Sequence, residues 1–375
     1  MSSITNIDGT DLITDSRADI NNNFSALNTD KVETSVIDTD TTLAANSDSK
    51  LPSQKAVKAY VDAGGNVNAT TTSRGIVEVA TQAEVDAGTD TGATGATLVV
   101  TPSQIQGRDS QRFTYAFADS PVTWTKDAGL VSIKVELWGA GGSGGKAQNG
   151  SAGGGGGGGA YAEFMFNADD LGATETLTIG AGGASQTTAN TEGNVGGNTT
   201  FGSLATAYGG GGGHNANGGG GGGGGITGAG ATATNANGGA GGGSVGGAGG
   251  VGDASAPGTS IFGGGGGGSG STSLYKSGGA SHFGGGGGGG GDDATTGNAG
   301  GASYKGGGGG GGGGTIPSRA GAGGVSTLGG NGGAGGHDTT DAVAGTVPSG
   351  GGGGTEVNDS GAGANGQAVI TEYYV

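Results

Sequence analysis

Glycine is concentrated in the second part of this chain and limits what that part can fold into. Nine of the 103 glycines precede Gly139, which leaves 94 between Gly139 and Val375. The longest uninterrupted runs are Gly153–Gly159, Gly218–Gly225, Gly263–Gly268, Gly284–Gly291 and Gly306–Gly314. Glycine has no Cβ and loses more conformational entropy on ordering than any other residue. A conventional hydrophobic core is therefore impossible in these runs, and they are either disordered or packed backbone against backbone.

Ordered runs of this kind suit polyglycine II, a left-handed threefold helix that rises about 3.1 Å per residue. An eight-residue run then spans roughly 25 Å. Such helices can hydrogen-bond to several neighbours because no Cβ separates them. The chain has no strict Gly-X-Y period and only six prolines, which excludes collagen. The alternative is a flexible linker array, which the varied insertions and a predicted strand after the last run disfavour.

Charge and composition exclude several classes of protein. The net charge of −17 disfavours nucleic acid as a partner, and no basic patch with interleaved aromatic residues is present. The absence of cysteine excludes disulfides and thiolate metal sites. No window reaches the apolar length of a transmembrane helix, so we expect no membrane insertion. The first residues lack the basic and apolar segments of a secretory signal, and we expect synthesis in a cytoplasm.

Two helices are predicted in the first third of the chain. The first covers Thr14–Lys31, and its apolar residues follow heptad spacing, which predicts a seam formed by Ile13, Ile20, Phe24 and Leu27. This seam is too short to hold a helix alone in water, so it indicates an oligomer or a docking surface. The second helix covers Leu51–Ala63, with Ser49 as its N-cap, and ends at two glycines.

The segment that follows predicts a compact α/β repeat, with strands at Gly75–Ala80 and Thr97–Val100 and a short helix near Gln82–Ala87. Several blocks of the first 106 residues resemble tail fibres of tailed bacteriophages, namely Asp15–Phe24, Leu51–Ala63, Ser73–Thr81, Ala83–Asp90 and Val100–Pro102. The resemblance implies a homotrimer that attaches through its amino terminus to a tail or baseplate protein. It also implies that the protein, made in the host cytoplasm, resides in the virion.

Strands with period-2 alternation bracket the glycine runs. They are predicted at Phe113–Phe117, Val122–Thr125, Val131–Trp138, Ala160–Phe166, Glu175–Ile179 and Gln367–Val375. In the third of these, Val131, Ile133, Val135 and Leu137 are predicted to share one face. Leu137–Gly142 and Ala368–Tyr373 resemble the glycine-rich domains at phage fibre tips.

The predicted fold class is mainly β and irregular. We expect a fibrous trimer with short N-terminal helices, a small α/β repeat, and a C-terminal β-sandwich that frames packed polyglycine II helices. The predicted domains are a virion-attachment and coiled-coil segment (1–48), a helical linker (49–68), a tail-fibre repeat (69–107) and a glycine-rich receptor-binding tip (108–375).

The insertions between runs are the predicted sites of recognition, because loops on a rigid scaffold commonly carry binding residues. The candidate receptor-binding residues are Tyr208, His214, Asn215, Tyr275, Lys276, His282, Phe283, Tyr304 and Arg319. Their aromatic and polar groups suit a host surface protein or a glycan. The alternative for any one apolar side chain is that it only covers the edge of the rod bundle.

No catalytic, metal-binding or cofactor-binding residues are predicted. The three histidines are widely separated, and neither a zinc-protease motif nor a phosphate-binding loop occurs. Together with the resemblance to tail fibres, this predicts a tail-fibre adhesin that is not an enzyme. A polyglycine II ice-binding or structural filament protein is the second hypothesis, and a surface-polysaccharide depolymerase is the third.

Overall fold

The computed structural model describes residues 13–29, 36–40, 50–64, 77–87, 89, 91, 97–101, 110–148, 150–216, 218–251, 254–270, 277–291 and 297–374. The chain divides into two units, Met1–Ile105 and Gln106–Val375. Strands and irregular segments dominate over helices, which confirms the predicted mainly β and irregular fold class. Within the described ranges, no helix is both long and apolar enough to cross a membrane.

In its described residues, the first unit contains three helices and two pairs of very short parallel strands. The helices are α1 (Ile13–Thr29), α2 (Gln54–Gly64) and α3 (Gln82–Ala87). Strand β1 (Ile37–Asp38) pairs with β2 (Leu51–Pro52), and β3 (Glu78–Val79) pairs with β4 (Leu98–Val99). The finer division of this unit into three segments stays a prediction.

Local hydrogen bonds define where α2 and α3 begin. The Ser53 hydroxyl accepts a hydrogen bond from the Ala56 amide at 3.1 Å, so α2 starts after Ser53. The predicted start at Leu51 was wrong, because Leu51 and Pro52 pair in β2 instead; Ser49 lies outside the described residues. In α3, Thr81 and Glu84 form a reciprocal capping box. The hydrogen bonds from Thr81 lower the pKa of Glu84.

The predicted seam of α1 is exposed to solvent. Ile20, Phe24 and Leu27 are 41%, 67% and 48% exposed, and the side chain of Ile13 lies outside the described residues. Three large apolar side chains on one face of a single helix are the pattern expected of a surface that is covered by other chains. The trimer itself stays a prediction.

Among the residues described for the second unit, two antiparallel sheets enclose a hydrophobic core. Its strands are β5 (Gln111–Ala116), β6 (Val122–Thr125), β7 (Leu130–Trp138), β8 (Tyr161–Asn167), β9 (Thr174–Thr178), β10 (Thr199–Phe201), β11 (Ala205–Ala207) and β12 (Gln367–Tyr374). One sheet has the order β5-β12-β7-β8 and the other has the order β11-β10-β9-β6. The core includes Trp124, Ile133, Val135, Leu137, Leu177, Phe201 and Ile370.

Strand β7 departs from the predicted pattern at its start. Ile133, Val135 and Leu137 are fully buried as predicted, but Val131 is 46% exposed and Leu130 is buried in its place. The register between β7 and β12 shifts at this point, which is a β-bulge. The extra residue reverses which side chains face the core.

The glycine runs form an ordered array, in which Gly153–Gly159 is the central rod. Its seven N–H groups donate in turn to three neighbours: residues 154 and 157 to the run 209–214, residues 155 and 158 to 284–291, and residues 153, 156 and 159 to 349–355. Its seven carbonyls accept from three others, namely 139–145, 218–225 and 306–314. The neighbour repeats every third residue, as expected for polyglycine II surrounded by six rods.

The rods have two distinguishable ends. Gly139 donates to Ala160 and Gly145 donates to Gly154, so the chain leaves β7, reverses after Gly145 and returns to β8. We call the end beside β7 and β8 the near end and the opposite end the far end. Each insertion between successive rods belongs to one of these two ends.

Candidate binding site

The outer face of the sheet β5-β12-β7-β8 carries a concentration of charged and aromatic side chains. Alternate residues of the four strands point away from the core. They are Arg112 and Thr114 from β5, Gln367, Val369 and Thr371 from β12, Lys134, Glu136 and Trp138 from β7, and Tyr161, Glu163 and Met165 from β8. The strand register brings together residues that are up to 259 positions apart in the sequence, since Thr371 pairs with Arg112.

Tyr161 connects the charges on this face. Its hydroxyl donates to Glu163 and contacts Glu136 at 2.9 Å, while Lys134 pairs with Glu136 at 3.0 Å. Burial, together with these carboxylates, raises the pKa of Tyr161. The hydrogen bond from Tyr161 lowers the pKa of Glu163 against the opposing effect of burial, with help from Lys305 and Lys134. Glu163 is therefore held as a charged acceptor.

A pocket of about 380 Å³ lies on this face and is bounded by a turn of the glycine array. It is lined by Arg112, Thr114, Glu136, Trp138, Tyr161, Leu328, Gln367 and Val369. Arg112 is exposed, and no ion pair or side-chain hydrogen bond joins it to any residue that the structure describes. The pocket thus combines a guanidinium that has no partner among the described residues with a carboxylate, neutral polar groups and an apolar wall.

Four turns at the near end form a repeated structure that we call the serine ladder. The turns are Ser260–Phe262, Ser281–Phe283, Ser303–Lys305 and Ser326–Leu328, and parallel bridges join their serines in sequence. Each serine hydroxyl donates to a backbone carbonyl near the start of a neighbouring run at 2.6–2.8 Å. These bonds fix the register of successive turns, so the two residues after each serine are aligned in rows.

The rows of the ladder bring aromatic side chains together. Phe262 stacks on Phe283 with ring centroids 5.4 Å apart, and His282 stacks on Tyr304 at 4.7 Å. The Lys305 ammonium lies 5.1 Å from the Phe283 ring centre. Phe262 and Tyr304 remain 51% and 45% exposed. The near end therefore presents a fixed aromatic surface to solvent.

The ladder and the outer face of the sheet are in contact. The Trp138 indole donates to the Lys305 carbonyl at 2.9 Å, and the Lys305 ammonium lies 4.6 Å from the Tyr161 ring centre. Phe283 packs against the cluster of Trp138, Tyr161 and Val369. The pocket and the aromatic rows thus form one continuous surface.

Comparison with known proteins identifies a domain family that covers part of this surface. A family described as a glycine-rich domain matches residues 116–326, which is more than half of the chain. The chain belongs to this glycine-rich domain family. No curated protein matches the sequence.

The glycine-rich domain distributes the predicted receptor-binding residues between its two ends. Tyr208, His282, Phe283 and Tyr304 lie at the near end, whereas His214, Asn215 and Arg319 lie at the far end. Tyr275 and Lys276 lie outside the described residues. The prediction treated these side chains as one set, but antiparallel rods place alternate insertions at opposite ends.

The far-end candidates are held by local contacts of their own. The His214 ring lies 3.5 Å from Glu192, and its Nδ1 atom is buried without a hydrogen-bond partner in the described part of the chain. The Asn215 amide donates to the Asn190 carbonyl at 2.7 Å. Arg319 donates to the Thr315 hydroxyl at 2.9 Å. Among the described residues, no group of three acidic or histidine side chains could hold a metal ion.

The pocket residues Arg112, Glu136, Trp138 and Tyr161 were not among those predicted from the sequence. A signal was present, because Lys134, Glu136 and Trp138 occupy the polar alternate positions of a predicted strand. A tryptophan at such a position is unusual for a solvent-facing row and indicates a contact. The contribution of Arg112 required the pairing of β5 with β12.

Proposed function

We propose that this chain is a bacteriophage tail-fibre protein whose glycine-rich domain binds a host cell-surface structure without cleaving it. The observation that carries the proposal is the exposed aromatic surface on the serine ladder, which a hydrogen-bonded glycine array fixes in place. Rigid aromatic rings supply a large contact area at a small cost in conformational entropy. The host structure is a surface protein or a glycan.

The first unit is proposed to attach the fibre to a tail or baseplate protein of the virion. The resemblance of its blocks to tail fibres supports this role, and the exposed face of α1 supports association of three chains. Assembly as a homotrimer would place three copies of the ladder on one virion fibre. Binding through several copies raises the effective affinity without new contacts.

The other two hypotheses have less support. An ice-binding face needs a flat row of threonines, whereas the position after each ladder serine holds Ile261, His282, Tyr304 or Thr327. A glycosidase needs a carboxylic acid with a raised pKa. The pKa of Glu163, one of the two carboxylates on the outer face, is instead lowered.

Adsorption of the purified protein to host cells tests the proposal. We expect the intact protein and a fragment from Arg108 to Val375 to bind host cells and their envelope fractions, with no release of soluble sugar. A fragment that ends before Arg108 should not bind. Sugar release would favour a depolymerase, and absence of binding by the folded 108–375 fragment would contradict the proposed role.

A further inference from the structure

We propose that the pocket on the outer face of the sheet binds an acidic sugar residue, such as a uronic acid, of a host surface glycan. This inference rests on the proposed adhesin function and specifies its ligand. The carboxylate of the sugar would pair with Arg112, and its ring would lie against the apolar wall formed by Trp138, Val369 and Leu328.

The charged side chains on this face favour an anionic group of a ligand only beside Arg112. Glu136 is paired with Lys134, and Glu163 lies 3.8 Å from the Lys305 ammonium, so these groups largely neutralise each other. Arg112 has no such partner in the described part of the chain. Its planar guanidinium can make two parallel hydrogen bonds to a carboxylate, which gives both strength and orientation.

The remaining lining suits the hydroxyls of a sugar. Thr114 can donate or accept, Gln367 can do both through its amide, and the Glu136 carboxylate can accept. Inorganic phosphate would use Arg112 but would gain nothing from the apolar wall or from Glu136. A pocket of about 380 Å³ is at the lower end of the range for small-molecule sites, which favours a small ligand over a folded partner.

The position of Trp138 provides a signal for binding. The chain has two tryptophans, of which Trp138 lines the pocket while Trp124 lies in the sandwich core, so we expect a ligand in the pocket to change the fluorescence of Trp138. We would titrate the intact protein with glucuronic acid, with glucose as the neutral match, and with inorganic phosphate. We expect a saturable fluorescence change with glucuronic acid. The affinity for glucose should be at least about tenfold weaker, because hydrogen bonds to charged groups are strong.

Two variants test the assignment of the site. Arg112→Gln should weaken binding of glucuronic acid at least about tenfold and remove the preference over glucose. Arg319→Gln, which changes a far-end arginine, should bind like the wild type. Arg112 is exposed, and an unchanged melting temperature will show that its replacement leaves the fold intact.

Several results would overturn the inference: equal affinity for glucuronic acid and glucose, equal affinity for phosphate, no saturable change, or full binding by the Arg112→Gln variant. Host-cell adsorption by a protein that binds no acidic sugar would overturn the inference and leave the proposed function intact. The protein could instead bind the sugar through Arg112 but fail to adsorb to host cells. That result would support the assignment of the pocket as an acidic-sugar site and contradict the adhesin function.

Discussion

Replacement of Gly156 by alanine should strongly destabilise the glycine-rich domain. A Cβ at this position would lie 2.2 Å from the Gly142 carbonyl oxygen and 2.5 Å from the Gly142 carbonyl carbon, whereas ordinary contacts begin at 3.4 Å. Both atoms belong to the backbone of the adjacent rod, so no side chain can rotate away. The two rods must therefore separate by about 1 Å to restore an ordinary contact.

This separation affects the three hydrogen bonds between the two rods, which run from Gly139, Gly142 and Gly145 and measure 2.9 Å each. A bond lengthened by that distance no longer meets the geometric limits of a hydrogen bond. Each buried group left unpaired costs about 1–3 kcal/mol. If the two rods relax partially, we expect the free energy of unfolding to fall by about 3–5 kcal/mol and the melting temperature to fall by on the order of 10 °C.

Gly172→Ala is the matched control, because Gly172 is exposed on a loop of the sandwich. Its added Cβ would lie 3.3 Å from a carboxylate oxygen of Glu175, which can move. We expect this replacement to change the free energy of unfolding by no more than about 0.5 kcal/mol. Differential scanning calorimetry of both variants gives the comparison. If Gly156→Ala melts at the wild-type temperature, the runs do not pack as described.

Three further predictions concern other parts of the chain. Phe24→Glu places a charge in the exposed seam of α1 and should convert the expected trimer into smaller species, as measured by light scattering. A wild-type protein that is monomeric at micromolar concentration would contradict the prediction that this seam joins three chains. Ser281→Ala removes one hydroxyl bond to Gly263 and should lower stability by about 1 kcal/mol in chemical denaturation; an unchanged midpoint would show that the ladder bonds are dispensable. Because the pKa of Glu163 is lowered in the fold, its stabilising effect is present above its unfolded pKa, near 4.5, and lost as pH falls through the lower folded value. Glu163→Gln should therefore flatten the decline in melting temperature on acidification, and parallel curves for variant and wild type would contradict this.

Local sequence patterns predicted much of the second unit. Alternation located β6, β7 and β12 to within a residue, and glycine runs without side chains favoured packed threefold rods. Strands β10 and β11 were missed because each has three residues and resembles its loop surroundings. The bulge at Val131 was missed because it depends on how β7 pairs with β12.

The binding surface could not be predicted from the sequence because its parts come together only in the folded domain. Arg112 and Gln367 lie on neighbouring strands but are separated by almost the whole glycine-rich segment. The grouping of Tyr304 with His282, and away from Arg319, depends on the direction of each rod. The direction of each rod depends on how many times the chain has reversed before it. The residue types of the rod do not encode this number.

The threefold repeat of the central rod limits how glycine runs can change in length. One residue of this helix turns the backbone by about 120°. Deletion of a single glycine from Gly153–Gly159 would direct every later N–H at the wrong neighbour, whereas deletion of three would remove one full turn and keep the directions. The loops carry no such restriction, since their residues lie beyond the ends of the rods. Runs in this architecture are therefore expected to lengthen and shorten in steps of three, while the loops diversify freely in sequence and size.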